Sequence, residues 1–513
     1  MSELPNGWET STLGEITIGG VDQGGPKSNC DTFTYVDISS IDRSTKRIEN
    51  PQTLERKKAP SRARQRLIAG DVLVSMTRPN LNAVALVPSP LDGSIGSTGF
   101  HVLRSPLMLQ RWMSYRVQAH DFVSEMSSKV QGALYPAVRP KDIDGFYVDV
   151  PPRKQQEEIA DEIEKQFTRL DTATAALKRV KTNLKRHRAS VLKAACEGRL
   201  VPTEAELARK EGRDYESAEK LLQRILRERS ARWEADTLAK MQASGKPPAD
   251  DRWKQKYKEP SAPDTSNVPA LPEGWCWAYV DQLSWRVQYG TSAKCFEAGD
   301  VPVLRMGNIQ AGGSIDTLNN LKFLPKAHSE FPELLLERGD LIFNRTNSAE
   351  LVGKSAAFTG ELNPCSFASY LIRASFVAGC DSAYVAACLN SVLGKRWIKS
   401  VVNQQVGQAN VNGTKLKDFG VPLPPEFEQA RIVATLSSAL TYIDQLNSAI
   451  VKRIVQQESL RQAILRDAFT GQLVPQVPTD EPASALLERI RAGRVESLKK
   501  TAARNMARKR GQQ

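Results

Sequence analysis

LPNGW at residues 4–8 returns as LPEGW at 271–275, and five further segments follow in both places in the same order. LIAGDVLVSMTR at 67–78 matches LLERGDLIFNRT at 335–346, and GSTGFHVLR at 96–104 matches CSFASYLIR at 365–373. VDVPPRKQQEEI at 148–159 pairs with VPLPPEFEQARI at 421–432, SVLKAACEGRLVP at 190–202 with AILRDAFTGQLVP at 463–475, and ESAEKLLQRI at 216–225 with EPASALLERI at 481–490. Chance accounts for one such pair but not for an ordered series at nearly constant offset. The chain is a tandem duplication, so any fold assigned to one half must also serve the other.

Each copy divides at a proline pair, 151–152 or 424–425, through which no helix can run. Before the pair, short β-branched and apolar runs (TYVDIS, DVLVSM, GFHVLR; DLIFNR and SYLIRAS in the second copy) are bounded by Gly, Pro, Asn and Asp, as strands are. Helices are expected near Leu107–Met126 and Tyr384–Val401, giving an α+β globule of about 150 residues in each copy. After the pair the apolar period becomes helical, through Ile159, Ile163, Phe167, Leu170, Thr174, Leu177, Lys181, Leu184, His187 and Val191, and through Ile432, Leu436, Leu440, Ile443, Asn447, Ile450, Ile454, Gln457, Leu460 and Ile464. A single apolar stripe must be buried, and the economical partner of one long helix is the other, giving a coiled coil. Antiparallel pairing would put the globules at opposite ends, and parallel pairing would put them side by side. The expected domains are a globule at 1–152, a spacer helix at 153–202, a charged helical segment and linker at 203–270, a second globule at 271–425, a second spacer helix at 426–475, and a C-terminal helical segment with a basic tail at 476–513. Trp233, Trp253 and Tyr257 are unusual in a solvated linker and are expected to pack back on a domain, with a docking role as the other reading.

A chain of 513 residues exceeds one compact core. The N-terminus lacks a basic segment followed by an apolar one, and the most apolar later stretch is interrupted by Asp381, so a soluble, cytoplasmic protein without membrane association is expected. Seven cysteines without a C-x-x-C pair read as reduced core residues. A net charge of +13 favours a polyanionic partner, although charge alone does not separate DNA from RNA or a membrane.

Taken together and doubled, LPEGW with YGTSAK after it, RGDLIFNRT, VPLPPEFEQ and AILRDAFTGQLVP resemble the DNA-specificity subunits of type I restriction-modification systems over essentially the whole chain. The resemblance implies two target-recognition domains, each reading one part of a bipartite asymmetric site in double-stranded DNA, separated by an antiparallel two-helix coiled-coil spacer whose length sets the gap. It implies two modification (methyltransferase) subunits docked along the spacer and two restriction (translocase and nuclease) subunits. A helix of about 45 residues runs roughly 65 Å, enough for half-sites one turn of B-DNA apart, about 34–36 Å. The first copy departs from the family pattern, with VDQGGPKSN in place of YGTSAK and PPRKQQEE in place of PPEFEQ.

Base edges are read by Arg, Lys, Asn and Gln, and phosphates are held by cations, hydroxyls and backbone N–H groups. In the second globule Asn344, Arg345, Thr346 and Asn347 follow a strand, Gln404, Gln405, Gln408 and Asn410 surround a glycine, and Thr291 and Lys294 stand in YGTSAK as phosphate contacts. The first globule offers Thr77, Arg78 and Asn80 in MTRPN, and Lys129, Gln131 and Tyr135 in SSKVQGALYPAVR. Ordinary turn chemistry is the competing reading of these stretches. The basic run KRVKTNLKRHR at 178–188 lies on the first spacer helix, where a DNA contact, a solvated face and a subunit contact are all open.

No G-x-x-x-x-G-K-[ST] loop is present, NPCSF at 363–367 lacks the Asn-Pro-Pro-aromatic pattern of amino-methyltransferases, and the four histidines have no metal-ligand spacing. The chain is therefore expected to be a non-catalytic subunit with no catalytic, cofactor or metal residues of its own. S-adenosylmethionine, ATP and Mg²⁺ are expected on the partner subunits. The alternatives are a coiled-coil scaffold that binds nucleic acid without sequence preference and a self-sufficient methyltransferase or nuclease.

Overall fold

The structure, a computed structural model, describes residues 4–18, 21–27, 30–130, 136–245, 248–266, 268–310, 312–348, 351–405, 408–477 and 480–494, with backbone alone at 403–405 and 408. The chain forms two compact units, one from residues 1–178 and 451–513, the other from residues 179–450. Neither unit is one copy of the repeat, because each takes its globule from one copy and helical segments from both.

Among the described residues of the first unit the globule holds four small sheets, one of them the hairpin Ile41–Asp42/Arg47–Ile48. Strand Glu9–Thr12 pairs antiparallel with Tyr147–Val150, joining the start of the copy to the residues just before the proline pair. Val72–Ser75, flanked by Phe100–Leu103 and Val84–Leu86, makes a three-stranded sheet, and Thr32–Val36 lies within a four-stranded one. The second unit repeats the plan: Cys276–Tyr279 pairs with Gly420–Leu423, and Leu341–Asn344 lies between Leu371–Phe376 and Ser355–Ala357. Every apolar run expected to be a strand contributes one. The single helix expected in each globule is two, Gln110–Arg116 and His120–Ser128 in the first, Ser382–Asn390 and Val392–Val401 in the second.

The repeated motifs join the globules to the helices. Helix Arg153–Cys196 starts immediately after Pro152 and helix Glu426–Phe469 immediately after Pro425, each 44 residues long. The buried Trp8 of LPNGW donates its indole N–H to Gln155 Oε1 at 2.8 Å, and Trp275 of LPEGW donates to Glu428 Oε1 at 3.0 Å. One position on, Gln156 and Gln429 each donate to the carbonyl of the first proline of the pair at 3.0 Å. Their Oε1 atoms accept from the backbone N–H of Leu109 and Asp381 at 3.0 and 2.8 Å. The P-P-x-x-[EQ]-Q pattern thus fixes the start of each helix to its globule through buried hydrogen bonds, which are costly to leave unmade. Gln155 in place of Glu428 still serves the indole. Glu428 has a second oxygen, which accepts the Glu204 N–H at 2.8 Å.

The helices run antiparallel. In the first unit Ile159, Ile163 and Phe167 share a core with Ile464, Leu465, Ala468 and Phe469. In the second unit Val191, Leu192 and Ala195 share one with Ile432 and Leu436. The start of each helix therefore meets the end of the other. Two ion pairs at equivalent positions cross the seam, Arg188 to Asp444 and Arg461 to Asp171. Arg188, not the exposed His187, faces inward in this stretch, because the stripe passes from Leu184 to the residue four further on.

Each copy's end motif docks on the other copy's beginning. Gly198 ends the first helix at φ +64°, and a Cβ there would lie 2.4 Å from Pro272 Cγ of LPEGW; Gly471 ends the second at φ +74°, with a Cβ 2.5 Å from Pro5 Cγ of LPNGW. Both positions need left-handed backbone and close approach, which only glycine supplies. Beyond them, Ala218 N–H bonds Gly274 O at 2.8 Å and Ala483 N–H bonds Gly7 O at 2.9 Å. Helix Ala218–Ala243 then buries Leu221 and Ile225 in the second unit, while the helix at 483–494 buries Leu486, Leu487 and Ile490 in the first. The segment at 251–257 folds back on the former helix, with Trp253 buried and stacked on Trp233 at 6.0 Å, and with Tyr257 accepting from Arg229 at 2.9 Å. Packing is thus the fate of the three linker aromatics.

Candidate nucleic-acid interface

The same construction recurs on both globules: a central strand leaves its sheet, turns, and pairs with a segment that precedes the final strand. In the second globule, strand Leu341–Asn344 continues through Arg345 into Thr346–Asn347. Thr346 and Asn347 pair antiparallel with Asn410 and Ala409 of the hairpin formed by Asn403–Gln405 and Gln408–Asn410. Gln404, Gln405 and Gln408 lie on the two arms of this hairpin, so three strands form a ribbon that carries the amide residues. In the first globule Thr77 bridges Ala137 antiparallel, and Val138 N–H bonds Met76 O at 2.9 Å, as Val411 N–H bonds Arg345 O at 2.9 Å. The register therefore sets Met76 opposite Arg345, Thr77 opposite Thr346, and Arg78 opposite Asn347. Gln131 and Tyr135 lie outside the described residues.

The candidates differ in what they can offer a ligand. Asn344 is wholly buried; its amide donates to Leu351 O at 3.5 Å. Arg345 is half-buried and held on three sides: its guanidinium lies 4.8 Å above the Tyr289 ring and donates to Ser369 O and Asn410 Oδ1, both at 3.3 Å. Tyr289 Oη accepts the Gly413 N–H at 2.8 Å. Arg345 thus ties the outgoing strand, the hairpin base and the YGTSAK segment together. Thr346 is buried, and half-buried Asn347 caps Ser348 N–H at 2.9 Å. Thr291 is buried and its hydroxyl accepts the Ala293 N–H at 3.0 Å, a local turn. Beside it, Gly290 admits no side chain, since a Cβ would sit 2.2 Å from Phe367 O. Lys294 is exposed, without an ion pair among the described residues.

In the first globule Thr77 is half-buried, while Arg78 and Asn80 are exposed. Arg78 has left-handed backbone (φ 50°, ψ 61°) ahead of the turn Pro79–Leu81, and its N–H bonds Pro136 O at 2.9 Å. A non-glycine residue in that region is uncommon and stands at turns held by their surroundings. Lys129 is exposed and pairs with Glu125 at 2.5 Å. Arg78 and Asn80 in the first globule and Lys294 in the second are thus exposed, whereas Asn344, Thr346 and Thr291 are buried and Arg345 is half-buried.

Five residues important to this geometry were missed by sequence reasoning. Tyr289 supports Arg345, and its place just before the obligatory Gly290 was the available signal. Asp71 and Arg104 in the first globule pair at 2.6 Å beneath the central strand, and Asp340 with Arg373 repeats them at 3.7 Å. Burial raises the Asp340 carboxyl above its ordinary range. Their recurrence in the repeated GD and LR or IR steps was legible, but its purpose was not. Among the described residues no group of three or more His, Cys, Asp or Glu side chains is placed to hold a metal ion, and no helix is long and apolar enough to cross a membrane.

Comparison with known proteins converges on one family. Residues 292–456 match the type I restriction modification DNA specificity domain. The chain is 24% identical to the type I restriction enzyme EcoKI specificity subunit of Escherichia coli (strain K12), over 86% of this chain and 84% of that protein. It is 22% identical to the StySPI specificity subunit of Salmonella potsdam, over 98% and 99%. A chain from a structural study of assembly and conformational transition in the type I R-M system has the same fold, with a TM-score of 0.63 at 23% identity, covering 92% of this chain and all of that one. The HsdS subunit from Thermoanaerobacter tengcongensis aligns with a TM-score of 0.50 at 22% identity, over 92% and 98%. With the doubled motifs and the antiparallel helix pair, these matches make type I restriction-modification specificity subunits the proteins to which this chain is similar over nearly its whole length.

Proposed function

We propose that this chain is the DNA-specificity subunit of a type I restriction-modification complex, in which each globule reads one part of a bipartite, asymmetric duplex site. The observation that carries this reading is the same strand exit and pairing in both globules with unlike residues: Arg78 stands where the second globule has Asn347, and Met76 where it has Arg345. The two arms of the hairpin, Asn403–Gln405 and Gln408–Asn410, make a two-stranded ribbon of the kind that fits the major groove, where Gln and Asn pair with adenine and Arg or Lys with guanine. Different side chains on equivalent frames read different half-sites, and a duplicated frame within one chain needs no palindrome. The chain supplies address rather than chemistry. Two modification subunits would dock along the helices and two restriction subunits would complete the nuclease, with S-adenosylmethionine, ATP and Mg²⁺ held by those partners. The complex would act on DNA in the cytoplasm.

The test is competition between the bipartite duplex and a random duplex of equal length for the complex of this chain with its modification subunit. The bipartite duplex should bind at least about 10³-fold tighter. Arg345→Ala should lower that ratio by loosening the ribbon of the second globule, with little change on random DNA. A wild-type ratio near one contradicts the proposal.

A further inference from the structure

Almost everything on the helix pair occurs twice, and one feature occurs once. Between residues 172 and 196 the first helix carries seven Lys or Arg and no Asp or Glu; the equivalent stretch of the second, 445–469, carries four Lys or Arg and two acids, so the balance is +7 against +2. Two of the duplicated charges, Arg188 and Arg461, are accounted for by their ion pairs across the seam. The excess lies elsewhere. Arg179, Lys185 and Arg186 are exposed, and no ion pair among the described residues engages them. Their counterparts are Lys452, Glu458 and Ser459.

At 100° per residue Arg179 and Arg186, with Lys193 seven residues beyond Arg186, lie on the face opposite the seam formed by Leu184, Arg188, Val191 and Ala195, and Lys185 lies on the flank beside them. Arg179, Arg186 and Lys193 repeat every seven residues, a line of cations about 10 Å apart extending about 21 Å. Lys193 has Glu197 at 3.8 Å, while Thr182 and Ala189 lie between the cations around the helix and Ser190 lies beside them, all small or hydrogen-bonding groups. No acid stands between Arg179 and Lys193 in the sequence, and Glu197 follows at the end of the stripe.

We infer that this stripe binds the phosphate backbone of the duplex, as a sequence-independent contact supplied by the first helix alone. The inference rests on the specificity reading for its ligand. A partner that docks twice should be met by features that occur twice, whereas the duplex between two unlike half-sites is present once. Over 21 Å of axis B-DNA carries about 12 phosphate charges, and a stripe of compact cations with neighbouring polar groups complements such a line.

The test uses the full chain assembled with its modification subunit and compares wild type with the triple variant R179Q/K185Q/R186Q, whose glutamines keep helix propensity. Affinity is measured on the bipartite and on a random duplex from 50 to 200 mM salt. Each lost phosphate contact reduces the log–log salt slope by about 0.9, so three make the loss of affinity over this range about 40-fold smaller. The expected result is an equal fall in low-salt affinity on both duplexes and an unchanged preference between them; the charge-preserving R179K/K185R/R186K should behave as wild type. An unchanged slope in an intact assembly overturns the inference. So does failure of the triple variant to assemble with unaltered DNA binding of whatever assembles, which makes the stripe a protein contact. Loss of preference in the wild type strikes the specificity reading and leaves the slope test standing.

Discussion

Residue identity matters most where a charged group has left water. Lys46 lies in the turn of the hairpin Ile41–Asp42/Arg47–Ile48, donates to Asn82 O at 2.5 Å, and has its ammonium pKa lowered to about 8 by burial. Glu458 and Asp42 oppose the shift, while Arg461 and Arg43 add to it. Since the folded pKa is below that of an unfolded lysine, about 10.4, the unfolded chain holds more protons between pH 8 and 10, and folding stability rises with pH in that window. Lys46→Gln should remove this rise, seen as a urea midpoint that gains less than wild type between pH 8 and 10. Equal gains would mean that Lys46 stays hydrated. This residue illustrates what the sequence hides: KR in a polar turn has no mark of burial, because the shielding comes from Asn82 and a helix some 400 residues away. The same holds for Arg345. Its type and position were legible, but its three-sided support, which makes it a brace for the ribbon, depends on Tyr289, Ser369 and Asn410 from separate segments.

Elements were far more legible than contacts. The proline pairs, the change of period after them and the repeated short strands set the α+β globules and the helix pair, because each is a local rule acting on adjacent residues. The broken helix in each globule was less visible, as the apolar spacing runs on across the break near Ala119 or Ser391. The role of the G-x-L-V-P endings was hidden for a different reason: their partners belong to the opposite copy. Gly198 meets Pro272 and Gly471 meets Pro5, so these endings fasten one copy to the other's first motif. Gly198→Ala and Gly471→Ala should each destabilise their own unit by more than about 1 kcal/mol, from forced left-handed backbone and overlap with proline. Thermal unfolding checks this. A loss confined to a few tenths of a kcal/mol would show that these joints yield easily.

At the scale of the molecule, duplication separates what serves structure from what serves selection. The indole clamps, the glutamine locks, the crossing ion pairs and the glycine joints recur almost atom for atom, while the ribbon residues diverge. That pattern suits a repeated frame in which each unit carries its own independently varied surface. Its organisation was legible because repeats need no tertiary information. The choice of bases was not, since Gln131 and Tyr135 fall outside the described residues and hydrogen-bonding amides accept more than one partner arrangement. Methylome sequencing of cells expressing this chain with its modification subunit, against cells expressing the modification subunit alone, tests the account most directly. The account predicts a new methylated motif of two short, unlike sequences separated by a fixed gap; an assembled complex that produces no new motif, or a single palindrome, would contradict it.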